Sequence, residues 1–182
     1  MKALGVAAAI ALATTLLLVS SASSSGYRSE TIWLYADVID EAEVVITADG
    51  RVPTGEEDTI PGDRFLSRDD LYVLGGTQKQ PAPVGEPVGR NTIDCTAIEA
   101  TELSFRILCN GVIEKFGQGT IAWQAILVFS EASEGQPITV AITGGTGVFA
   151  NVGGEALVYE SSEDEGGDAV YEIRLQRFDG GW

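Results

Sequence analysis

The sequence predicts an all-β domain, an antiparallel barrel or sandwich, and three observations carry that expectation. After residue 26 the chain is built from runs rich in β-branched and aromatic residues. Short stretches holding Gly, Pro, Asp or Asn separate those runs. No stretch after residue 26 sustains a helical period bounded by capping residues.

The first strand is expected over 30–39, "ETIWLYADVI", whose residues suit a pleated, half-buried surface. A short strand, "EVVITA", precedes the charged stretch 49–63, which contains both Gly and Pro and reads as a loop. Strands are then expected over 64–74, 88–98, 103–113, 119–129, 137–143, 154–161 and 169–178. Between the first two of these, "GGTQKQPAPVGEP" reads as a loop. About eight strands of this kind can close into a barrel whose interior holds side chains or one small ligand.

Alternation sorts each strand into two faces. Trp33, Tyr35 and Asp37 share one face of the first strand, opposite Ile32, Leu34, Ala36 and Val38. Phe65, Ser67, Asp69 and Leu71 share another. In 119–129, Ile121, Trp123, Ala125, Leu127 and Phe129 oppose Ala122, Gln124, Ile126 and Val128. Both faces of this strand are largely apolar. The exterior of a small barrel then needs cover, most simply from another subunit, so a homodimer or homotrimer is expected.

The 182 residues suit one domain. Lys2, an uncharged run from Ala3 to Val19 and a small-residue segment around Ala22 read as a signal peptide over 1–22, with a spacer over 23–29 and the barrel over 30–182. The protein is then expected to be secreted. A membrane anchor, or a segment retained as a lid over a cytoplasmic protein, are the alternatives; the run is shorter than the roughly 20 residues of a spanning helix. The formal net charge is -16, which disfavours nucleic acid and anionic membranes as partners.

The chain contains no histidine, so Ser-His-Asp, Cys-His and His-based metal chemistry are excluded. Acid–base chemistry falls to carboxylates, tyrosine, lysine or water. Cys95 and Cys109 flank the polar turn "EATE", and pairing them centres a hairpin on residue 102. A cross-strand disulfide fits that geometry in an oxidising compartment, with two buried thiols as the alternative. The acidic "SSEDEGGD" lacks the calcium-loop pattern and reads as a solvated hairpin tip.

The stretch "AITGGTGVFANVGGEALVYE" places five glycines between two strand-like runs. It has no lysine and no following helix, which removes the phosphate-loop and dinucleotide readings. Gly144, Gly145 and Gly147 are expected to allow positive φ at a sharp bend, and Gly153 and Gly154 to reopen the next strand.

That stretch resembles the Gly-rich hairpin of the dirigent and allene oxide cyclase-like barrel superfamily. "PGDRFLSRDDLYVLGG", "PVGRNTIDCTAI" and "IWLYADVID" resemble other strands of that family, in order and with compatible spacing, over roughly 31–178. The resemblance implies an eight-stranded antiparallel β-barrel, often dimeric or trimeric, with an apolar cavity open at one end. Its members include plant dirigents, which steer phenoxy-radical coupling, and allene oxide cyclase, which closes a fatty-acid-derived epoxide. Bacterial members fold a polyketide for a [4+2] cycloaddition. The shared idea is a reactive substrate held in one geometry and away from water. No metal or organic cofactor is implied.

By the same resemblance, Asp69 falls where allene oxide cyclase has a pocket asparagine, and Cys95 where it has a pocket cysteine. Asp37 falls near the first-strand aspartate of dirigents. Ala36 replaces the first-strand glutamate of allene oxide cyclase, which argues against that particular activity. Asp37 and Asp69 are therefore the candidate catalytic residues. Trp33, Tyr35, Phe65, Phe105 and Trp123 are the candidate walls, with Arg106 and Gln124 as polar ligand contacts. The expected ligand is a small apolar molecule of polyketide, phenolic or fatty-acid origin. The expected function is stereoselective cyclisation or coupling of such an intermediate, or, alternatively, its binding by a non-catalytic exported barrel.

Overall fold

A computed structural model describes residues 27–39, 44–51, 59–101, 104–130, 135–160 and 168–178. The expected signal peptide, and most of the acidic stretch 161–168, lie outside these residues. The strands are β1 (Tyr27–Val38), β2 (Val44–Ile46), β3 (Arg64–Thr77), β4 (Gln80–Ala100), β5 (Phe105–Lys115), β6 (Gly119–Phe129), β7 (Ile138–Gly145), β8 (Val152–Glu160) and β9 (Ala169–Phe178).

Eight of them close into an antiparallel barrel in the order β1-β9-β8-β7-β6-β5-β4-β3, with β1 pairing back onto β3. Closure gives every strand of the ring a neighbour on both sides over part of its length, which limits the edge available for templating aggregation. The short β2 pairs with the start of β3, on the edge that β1 takes from Asp69 onward. Tertiary pairing thus realises the barrel among the two architectures that alternation allowed.

The core is the lumen. Leu34 and Ala36 of β1, Leu71 of β3, Ile113 of β5, Ile121 of β6 and Ile173 of β9 are all buried there. Cross-strand partners fall on one face: Ala36 lies beside Leu71 on one side and Ala169 on the other. Cys95 and Cys109 are directly opposite on β4 and β5, buried and joined by a disulfide.

One segment departs from the sequence reading. Residues 75–87 are not a loop; β3 continues to Thr77 and β4 starts at Gln80, forming a long two-stranded arm. Its prolines are tolerated because pairing of β4 with β5 begins only at Gly89, so the other edge of β4 is free where Pro81 and Pro83 lack an N–H. Gly75 makes room for Val84: a Cβ on it would sit 2.4 Å from Val84 Cγ2.

The Gly-rich bend also differs in detail. Gly147 and Gly154 do adopt positive φ, but Gly144 and Gly145 do not. At Gly145 the constraint is close approach, because a Cβ would lie 2.6 Å from the Thr120 carbonyl oxygen. Asn151, which tolerates the left-handed region better than most residues, supplies the remaining turn at φ 60°.

Candidate functional site

Four side chains from four strands meet inside the barrel. Asp69 comes from β3, Asn91 from β4, Trp123 from β6 and Tyr171 from β9, and all four are buried. Alternation sends each inward, because its neighbours two residues away, Leu71, Ala125 and Ile173 among them, belong to the core. Asp69 and Asn91 are direct cross-strand partners.

Asn91 organises the group. Its Nδ2 donates to Asp69 Oδ2 at 3.0 Å and to the Tyr171 hydroxyl at 3.1 Å. Its Oδ1 accepts from Trp123 Nε1 at 3.1 Å. The Tyr171 hydroxyl in turn donates to Asp69 Oδ2 at 3.4 Å, at the outer limit for such a bond. Both amide hydrogens and the amide oxygen are thereby used, so the amide orientation is fixed by its partners.

Trp123 can reach Asn91 because its opposite residue on β5 is Gly111. A Cβ there would stand 2.0 Å from indole Cε2, so the ring lies directly on bare backbone. The missing side chain on one strand is what seats the largest side chain of the next.

Burial pushes the Asp69 carboxyl above the usual carboxylate range. The bonds from Asn91 and Tyr171 oppose that rise, and the charges of Asp37 and Asp70 add to it. Burial and the neighbouring Asp69 hold Tyr171 far above the ordinary phenol range, so it acts as a neutral donor. Oδ2 receives both protein hydrogen bonds, whereas Oδ1 has no protein partner among the described residues. Nor is Oδ1 sealed off: among those residues the one fully buried side-chain polar atom lacking a partner is Arg106 Nε. In the neutral acid the proton therefore belongs on Oδ1, free to be donated.

Phe65 and Phe105 also face the interior, half-buried against the core towards the end where β3 and β5 begin. They meet edge to face at 6.2 Å, and Phe105 stacks on Phe129 at 5.8 Å. The other expected site residues are elsewhere. Leu34 and Ala36 take the lumen side of β1, so Trp33, Tyr35 and Asp37 point outward as a correction to the expected wall. Trp33 is 39 % exposed, and Asp37 lies opposite Asp70 on the outer surface. Tyr35 packs outside against Tyr72, and its hydroxyl donates to Asp168.

Both faces of β1 are apolar, so alternation could not tell inside from outside. Neighbours decide it: the small Ala36 fits the tight lumen layer between Leu71 and Ala169. Arg106 points outward to Glu99 at 3.2 Å, and Gln124 is exposed and donates to Asn110. Asn91 and Tyr171 escaped sequence reading. Both stand in inward registers, but only pairing across four strands joins them to Asp69.

No family model and no curated protein sequence matches the chain. Solved structures do match at the level of fold. A pyocyanin demethylase aligns at TM-score 0.55 and 23 % identity, over 80 % of this chain and 99 % of the other. The pterocarpan synthase dirigent protein GePTS1 aligns at 0.59 and 20 %, over 86 % and 88 %. The Diels Alderase AbmU from Streptomyces koyangensis aligns at 0.56 and 12 %, over 88 % and 74 %.

Proposed function

From the barrel fold that this chain shares with dirigent and cyclase proteins, we propose that it steers the cyclisation of a neutral, apolar, carbonyl-bearing molecule. Asp69 donates a hydrogen bond to the substrate oxygen. The observation that carries this reading is the asymmetry of the Asp69 carboxyl: Oδ2 holds both protein hydrogen bonds, and Oδ1 holds none.

A neutral carboxyl in an apolar lumen is a strong hydrogen-bond donor to an oxygen on which charge develops. Polarising a conjugated carbonyl lowers the barrier to electrocyclic or conjugate ring closure without a cofactor. The apolar side chains around Asp69 supply the remainder, by restricting a bound substrate to few conformers and excluding water. Tyr171 and Asn91 do not touch the substrate in this scheme. They position the carboxyl and set which oxygen carries the proton.

The test is a synthetic triene bearing a conjugated ketone that closes spontaneously to a mixture of stereoisomers. The wild-type protein enriches one isomer and accelerates closure, Asp69→Asn reduces the acceleration, and Asp69→Leu abolishes it. If both variants match wild type across a panel of such trienones, Asp69 is not catalytic, and a non-catalytic binding barrel replaces this reading.

A further inference from the structure

The barrel wall opens beside β6. Pairing of β6 with β7 runs from Ile121–Gly145 to Gln124–Ala141 and then stops, although both strands continue towards the same end of the barrel. A cleft of 530 Å³ lies there, a volume within the usual range of small-molecule sites. Asp69, Asn91, Trp123 and Tyr171 do not line it, so it is distinct from the buried group described above.

The lining has a definite chemistry. Leu127 and Ile138 contribute hydrocarbon that packs against the core. Phe129 contributes a half-exposed ring, which its stack on Phe105 holds in place. Among the described residues, Glu160, the last residue of β8, is the one charged residue in the lining, and no basic residue joins it. Its carboxylate makes no ion pair or hydrogen bond among the described residues.

These features select among ligands by charge. An anion in the cleft would face Glu160 with no cation among the described lining residues to offset the repulsion. A neutral hydrocarbon would strip water from the carboxylate without replacing it. A hydrocarbon carrying an ammonium group fills the apolar volume, neutralises the carboxylate and finds the negative face of an aromatic ring. The net charge of -16 adds long-range attraction of the same sign. We propose that the β6–β7 cleft is a binding site for amphiphilic ammonium compounds, with the hydrocarbon on Leu127 and Ile138 and the cationic head on Glu160. This site does not depend on Asp69 acting in catalysis.

Calorimetric titration with octyltrimethylammonium, octyl sulfate and octanol, each below its aggregation threshold, tests the assignment. Saturable one-to-one binding is expected for the ammonium compound and not for the other two. Glu160→Gln should weaken it about tenfold, the loss of one favourable charge contact. Glu155→Gln makes the same change in net charge elsewhere on β8, where Glu155 pairs with Arg174, and should stay within about twofold of wild type. Phe129→Leu, which keeps hydrocarbon but removes the ring, should weaken the ammonium compound several-fold. Equal weakening by the two glutamine variants would reduce the effect to the overall field and overturn the site. So would octyl sulfate binding as tightly as the ammonium compound, a Phe129→Leu variant that binds like wild type, or an absence of saturable binding.

Discussion

The Trp123 indole and the Asn91 amide meet inside the barrel, with Nε1 donating to Oδ1 at 3.1 Å, although their strands are separated by β5. The contact passes over the bare backbone of Gly111 and ties the buried tryptophan to the amide that holds Asp69.

Removing that amide strands the buried Trp123 Nε1 and takes one bond each from Asp69 Oδ2 and the Tyr171 hydroxyl, which keep only each other. Asn91→Leu should therefore cost about 2–4 kcal/mol, more than an average hydrogen bond, because Trp123 Nε1 is left unpaired while Asp69 and Tyr171 each lose a bond. Chemical denaturation measures the loss, and a shift in tryptophan emission should accompany it.

Gly111→Ala places a methyl group where the indole ring lies. The expected cost is about 1–3 kcal/mol, the range for overpacking a core, with a changed near-ultraviolet dichroism from a displaced Trp123. Unchanged stability and spectrum would show that the ring can move aside without loss.

Asp69 should make stability depend on pH with a particular sign. Its folded acidity is weaker than its unfolded acidity, so the fold favours the neutral form. The contribution is fully present below the ordinary value near 3.8 and is lost as pH rises through the raised folded value. Asp69→Asn lacks this term. Relative to wild type, the variant should gain stability from acid towards neutral pH. A difference between the two proteins that is flat with pH would contradict a raised Asp69 pKa.

Asp63 should show the opposite sign. Its carboxylate accepts the Ile60 N–H at 3.0 Å and the Ala48 N–H at 2.8 Å, and pairs with Arg51. The Ile60 amide is the largest of the influences holding its acidity below the usual range, with the Ala48 amide and Arg51 acting alongside; burial opposes them. Stability from this group is present above 3.8 and lost as pH falls through the lowered folded value. Asp63→Asn should lower the melting temperature at neutral pH, and the deficit should shrink under strongly acidic conditions.

The outer face of β5 and β6 exposes Val112, Ile126 and Val128. We expect a homo-oligomer packed through this face, since an apolar patch on a barrel exterior gains from exclusion of water. Light scattering at micromolar concentration should report a dimer or trimer, reduced to monomer by Ile126→Glu with Val128→Lys. A wild-type monomer would remove the expectation.

What the sequence determined by itself follows from local chemistry. β-branched and aromatic runs between Gly and Pro turns determine strands, and the run 119–129 was legible to its ends, as β6 spans Gly119–Phe129. The placement of Phe65, Asp69 and Leu71 on one face was equally legible, since it needs only the two-residue period of a pleat. Tertiary structure decided which face of β1 is inside. Ile32, Leu34 and Ala36 compete there with Trp33 and Tyr35, and both sets are apolar; the fit of Ala36 between Leu71 and Ala169 breaks the tie. It also decided that Pro81 and Pro83 lie in a strand, because whether a missing N–H matters depends on which edge has a neighbour. The polar group at Asp69 was decided the same way. Residues 69, 91, 123 and 171 have no spacing in common, and only the order and stagger of four strands around a closed barrel bring them within hydrogen-bonding distance.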